Sequence, residues 1–147
     1  MGILEGLIDH QRELKTLYQK LEFLRDCFNF QNPTPFFEEF QEILHSLLEE
    51  LKIHFRAFED GVGQIQTTIP IILENRLLRD ILIRMGERME RMAIEKNPNL
   101  FLQLEEFREI LFAFFKKEKS LIPNQIAQIT TQGEQELIKT TLKKLLK

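Results

Sequence analysis

Apolar residues recur along this chain at alternating steps of three and four, the spacing that lines one face of an α-helix. Four segments carry the pattern. The first runs Ile3, Leu7, His10, Leu14, Leu17, Leu21, Leu24, and the second Phe37, Phe40, Leu44, Leu47, Leu51, His54, Phe58. The third runs Ile71, Asn75, Leu78, Leu82, Met85, Met89, Met92, and the fourth Leu100, Leu104, Phe107, Leu111, Phe114, Glu118, Leu121. Second apolar rows widen these faces at Phe36, Ile43, Phe55 and Val62, and at Leu77 and Ile81. No segment alternates with the two-residue period of a strand.

Turn chemistry separates the stripes. Asn29 to Pro35 holds two prolines, and Asn32 or Thr34 is placed to cap the second helix. Gly61 and Gly63 end that helix, and Pro70 stands at the first turn of the third. Asn97-Pro98-Asn99 divides the third helix from the fourth, and Pro123 is expected to close the fourth. A polar stretch then leads through Gly133 to a short amphipathic helix, about 133–146, carrying Leu137, Ile138, Leu142, Leu145 and Leu146. Short connections favour antiparallel neighbours. The chain therefore reads as one all-α domain over 1–147, an up-down-up-down four-helix bundle with its core in 1–123 and a short C-terminal helix that docks on the bundle or recruits a partner.

Only four stripe positions are polar, and each helix supplies one. His10 and Asn75 lie near helix starts, while His54 and Glu118 lie near helix ends. In an up-down-up-down bundle those four places meet in one layer near one end. Buried polar groups need partners, so the layer must hydrogen-bond internally or hold an ion. Two imidazoles and a carboxylate are a donor set for a first-row metal. A metal-free network that fixes helix register uses the same residues equally well.

At these residues the chain resembles the hemerythrin-like family, the HHE cation-binding domains, over about residues 1–125. The pieces are Leu7-Ile8-Asp9-His10, His54-Phe55-Arg56-Ala57-Phe58-Glu59, Leu73-Glu74-Asn75-Arg76, and Phe114-Phe115-Lys116-Lys117-Glu118 running on to Leu121-Ile122-Pro123. The family pattern is DH on the first helix, HxxxE on the second, EH on the third, and HxxxE with an apolar pair and Pro on the fourth. The resemblance implies a four-helix bundle and a metal site at its polar layer. Three ligand positions depart from it. Phe58 replaces the carboxylate of the second helix, Asn75 the His of the third, and Phe114 the His of the fourth. Glu59 does not restore the carboxylate, because it lies ~100° around the helix from the stripe. A di-iron centre of the oxygen-binding type is therefore not expected.

What remains, His10, His54 and Glu118, matches one half-site, with Asn75 a further candidate ligand. Two readings stand. One is a binding, sensing or regulatory bundle with no metal and no catalytic residues. The other is a mononuclear protein holding a single iron or zinc ion. A purely structural partner-binding bundle is a third.

Composition adds exclusions. A net charge of −3 gives no reason to expect nucleic acid or an anionic membrane as partner. The start Met1-Gly2-Ile3-Leu4-Glu5-Gly6 reads as neither a signal peptide nor an acylation site. The one cysteine, Cys27, reads as a buried or idle thiol and suits a reducing cytoplasm. His45 falls off the core stripe and is expected to face solvent. The second apolar rows leave a homodimer or protein partner open.

Overall fold

The computed structural model describes residues 2–146. Among them the chain is all-α, with no strand. In order it forms α1 (Glu5–Asp26), α2 (Thr34–Val62), a 3₁₀ turn (Gln66–Thr68), α3 (Ile69–Ile94), α4 (Leu100–Lys119), α5 (Leu121–Ile129) and α6 (Gln132–Leu145). α1 packs on α2 and on α4, α2 on α3, and α3 on α4, so the four long helices close into a ring of neighbours. Among the described residues no helix is long and apolar enough to cross a membrane.

The stripes face inward almost as spaced. Leu7, Leu14, Leu21, Phe37, Phe40, Leu44, Leu47, Leu51, Phe58, Leu82, Met89, Leu100, Leu104, Phe107, Leu111 and Phe114 are buried. On α1 Tyr18 is fully buried while the stripe residue Leu17 only packs against the core's edge. Of the second rows, Phe36, Phe55 and Val62 are buried, whereas Leu77 and Ile81 are exposed along α3 with Ile69 and Leu73. Gly86 sits where α3 approaches α2 closely, since a Cβ there would stand 2.1 Å from Cδ2 of buried Leu48.

Helix ends differ from expectation at several points. Neither Asn32 nor Thr34 caps α2; the N-cap is Pro33, with no side-chain cap bond, and Thr34 is already helical. Gly61 lies inside α2, where it leaves room for Leu142, and Gly63 ends the helix. Pro123 does not close α4. The backbone breaks at Ser120 (φ −124°, ψ −63°), and Pro123 falls in the first turn of α5, where its missing N–H has no helical partner to lose. The break shifts the register by one, leaving Leu121 exposed and burying Ile122. Residues 121–129 are thus helix rather than a polar connection.

α6 opens with a capping box, Thr131 and Glu134 each bonding the other's backbone N–H. It docks through buried Ile138 and Leu142 and packs against α2 and α1. Cys27, expected to be buried or idle, is exposed. His45 faces solvent as expected, 3.6 Å from Glu90.

The core falls into two apolar clusters. The larger includes Leu14, Phe40, Leu51, Phe55, Leu82, Leu111, Phe114 and Phe115. The smaller joins Leu4, Leu7, Phe58, Val62, Ile72, Ile122, Ile126, Ile138 and Leu142, so α5 and α6 help to build it. The expected polar positions fall between the two in sequence: His10 between Leu7 and Leu14, His54 between Leu51 and Phe58, Glu118 between Phe115 and Ile122.

Tyr18 gives the first test. Its hydroxyl is buried without a hydrogen-bond partner among the described residues, and burial, helped by the Glu22 charge, pushes the phenol well above its ordinary value. Tyr18→Phe removes an unsatisfied group and is expected to leave stability unchanged or raise it by about 1 kcal/mol, read from the urea midpoint. Because the folded state holds the proton, the wild type loses stability once pH passes about 10, where the unfolded phenol ionises. The phenylalanine variant lacks that loss. Tyr18 is the only tyrosine and tryptophan is absent, so phenolate absorbance reports this residue alone. It is expected to rise together with loss of helical circular dichroism; a rise in the folded state would contradict the burial argument.

Candidate functional site

His10 projects from the second turn of α1, His54 from the C-terminal third of α2, and Glu118 from the last turn of α4. All three are buried, Glu118 and His54 completely. His54 Nε2 lies 2.7 and 2.9 Å from the two Glu118 oxygens, and its Nδ1 lies 2.9 Å from Nδ1 of His10. His10 Nε2 then lies 2.8 Å from Oε2 of Glu50, a half-buried residue in the middle of α2. The four side chains form one line, Glu118–His54–His10–Glu50, from the interior to the surface.

Gln11 holds the inner end. Its amide N–H donates to Glu118 Oε1 at 2.8 Å and to the Phe115 carbonyl at 3.2 Å. Phe55 and Phe114 stand edge-on to the His54 ring, with centroids 6.1 and 6.0 Å away. Phe114 thus walls the imidazole with hydrocarbon at the position where the resemblance expects a ligand. The two imidazoles have near-parallel planes, 17° apart, with centroids 5.1 Å apart. Their Nδ1 atoms therefore meet edge to edge, where one can donate to the other.

Counting protons defines the state of this line. Each of its three contacts needs one proton between the heavy atoms. Two neutral imidazoles bring two, and two carboxylates bring none. With His54 Nε2–H donating to Glu118 and His10 Nε2–H donating to Glu50, both Nδ1 atoms present lone pairs to each other at 2.9 Å. A complete line holds one proton more, which leaves it one net negative charge instead of two. A buried contact between two lone pairs is costly.

Of the expected site residues, His10, His54 and Glu118 are brought together. Asn75 is buried but makes no hydrogen bond to them, and its Oδ1 has no partner among the described residues. The three gathered side chains offer their donor atoms in series rather than around one point. His54 gives Nδ1 to His10 and Nε2 to Glu118, opposite edges of one ring. One ion touching all three would require that ring to turn away from one partner. The di-iron centre implied by the resemblance does not fit the residues as they stand.

Gln11, Glu13 and Glu50 were not anticipated. Gln11 follows His10 directly and lies off the apolar stripe, which hides it from a search along the stripe. Glu50 and Glu13 did carry a signal: Glu50 precedes His54 by four and Glu13 follows His10 by three, spacings that put each pair on one helix face. No family model, no curated protein and no solved structure matches this chain.

Proposed function

We propose that the chain is a hemerythrin-like bundle, antiparallel and up-down-up-down over its first four helices, that lacks the di-iron centre and works as a binding, sensing or regulatory domain. It is then neither an oxygen carrier nor an enzyme. The reading treats residues 1–147 as one domain in the reducing cytoplasm, where an exposed thiol such as Cys27 persists. The exposed row Ile69, Leu73, Leu77 and Ile81 leaves a homodimer or a protein partner as the occupant of the α3 face.

One observation carries the reading. The layer that would hold two irons is instead a hydrogen-bonded line of Glu118, His54, His10 and Glu50. Phe58 and Phe114, both buried, stand where ligands are expected. Each imidazole nitrogen in the layer already has a partner within 2.9 Å. A polar layer of this kind fixes helix register and couples the buried end of the bundle to its surface.

The test is metal loading of protein purified without a histidine tag. After anaerobic Fe(II) addition and exposure to air, no oxo-bridged charge-transfer absorption is expected. Two irons per chain with that absorption, both lost in His54→Ala, would sink the proposal.

A further inference from the structure

We propose that the outer end of the relay binds one first-row divalent cation, held by His10 Nε2 and the carboxylates of Glu13 and Glu50, with His54 and Glu118 behind it as positioning residues. The inference rests on reading the buried layer as a hydrogen-bonded line rather than a di-iron cage. It adds a site at the rim, with only His10 among the residues the resemblance would assign to a metal.

Geometry points there first. Among the described residues, His10, Glu13 and Glu50 are the His, Cys, Asp or Glu group whose ligand atoms all lie within 4.8 Å of one another. His10 Nε2 is 2.8 Å from Glu50 Oε2 and 3.8 Å from Glu13 Oε2. Donors bound to one ion at ~2.0–2.2 Å stand roughly 3–3.6 Å apart, so small side-chain movements suffice. The histidine is itself buried, and its Nε2 is aimed into the cluster. The two carboxylates line a surface hollow of about 610 Å³, which gives a hydrated ion access and room for water ligands.

The proton count is the second and independent argument. With a cation on His10 Nε2, the line needs only two protons, the number that two neutral imidazoles carry. His10 Nδ1–H donates to His54 Nδ1, and His54 Nε2–H donates to the Glu118 carboxylate. Every contact is then satisfied, with no lone pairs facing one another. This is the outer-shell arrangement that fixes a ligating imidazole: the nitrogen away from the metal donates to an acceptor, here through a second imidazole to a buried carboxylate. Gln11 anchors that carboxylate in turn.

Donor chemistry selects the ion. One imidazole with two carboxylates on the solvent side suits Zn²⁺, Fe²⁺ or Mn²⁺, whereas Mg²⁺ and Ca²⁺ prefer oxygen alone. A cation there bridges α1 and α2 at the mouth of the polar layer, and its arrival takes the place of the His10 Nε2 proton and leaves that ring protonated at Nδ1, toward His54. That supplies a means of sensing.

The experiment uses the full chain, untagged and stripped with chelator, titrated calorimetrically with Zn²⁺ and with Mn²⁺. One Zn²⁺ per chain is expected. Glu50→Gln is expected to weaken it at least ~10-fold, and Glu13→Gln less, since that side chain is the more exposed. Both changes lie at the surface, so helical circular dichroism should be retained. Glu118→Gln, remote from the ion, is expected to weaken binding by ~10–100-fold. Imidazole ¹⁵N NMR of the Zn²⁺ form should show His10 protonated at Nδ1 and His54 at Nε2. No Zn²⁺ or Mn²⁺ binding, or binding equally strong in Glu50→Gln and Glu13→Gln, overturns the rim site while leaving the metal-free core intact. Two irons bound through His54 would instead overturn the reading of the core itself.

Discussion

Replacing Glu118 with alanine is expected to lower the unfolding free energy by about 3–5 kcal/mol, because it leaves buried partners uncompensated. Glu118 is fully buried and accepts from His54 and Gln11. Without it, His54 Nε2–H loses its acceptor and the Gln11 amide keeps only the Phe115 carbonyl, beside the rings of Phe55 and Phe114 and away from bulk water. Glu118→Gln keeps an acceptor oxygen and the side-chain volume, so a smaller loss of about 1–3 kcal/mol is expected. Urea unfolding of the two variants beside wild type measures both. Against a total of roughly 5–15 kcal/mol the alanine change is large. Equal stability of wild type and Glu118→Ala would show that the line contributes nothing to folding.

The second large effect is expected at Phe58. Its ring is fully buried in the smaller cluster among Leu7, Ile72, Ile122 and Leu142. Phe58→Ala removes that contact and leaves a cavity, at a cost of about 3–5 kcal/mol. For a chain of this length each kcal/mol moves the melting temperature by ~2–4 °C, so a drop of more than about 6 °C is expected. The comparison with Phe58→Leu is informative. Leucine restores most of the apolar volume and should recover more than half of the loss. If Phe58→Ala instead melts with wild type, the ring is not the filler that closes this end of the core.

The two effects have a common cause. The residues of the polar line fall in sequence between the two apolar clusters, and its inner end, His54 and Glu118, is wholly buried. Phe114, of the larger cluster, stands edge-on to the His54 ring, and Phe58 is buried in the smaller cluster, each at a position where the resemblance expects a ligand. The same substitutions that remove metal donors therefore create the low-dielectric surroundings in which a proton or cation shared along the line carries weight.

Much of this was legible in the sequence. The three-and-four spacing determined which faces turn inward, because burial of apolar surface dominates where a helix packs. It also singled out His10, His54 and Glu118, since a polar residue in an otherwise apolar stripe must find a partner when buried. Helix ends were less legible. Pro123 reads as a stop by its chemistry, yet it is tolerated in a helix's first turn, and the break came at Ser120 instead. The inward turn of Ile122 followed from that break and left Leu121 outside.

Only the tertiary structure decided how the polar residues meet. Periodicity gives each side chain a face but not its distance or rotamer across the bundle. It cannot say whether two histidines and a carboxylate surround a point or stand in line. The packing of α1 on α2 and on α4 placed His54 between its partners, and it brought in Gln11 and Glu50 from outside the stripes. It also left Asn75 out, buried but unjoined. The sequence by itself thus pointed to a polar layer with one residue from each of four helices, of which only His10, His54 and Glu118 join. The packing of those helices decided that the layer is a line leading to the surface, because hydrogen-bond geometry is set by distances between elements and not by spacing along one.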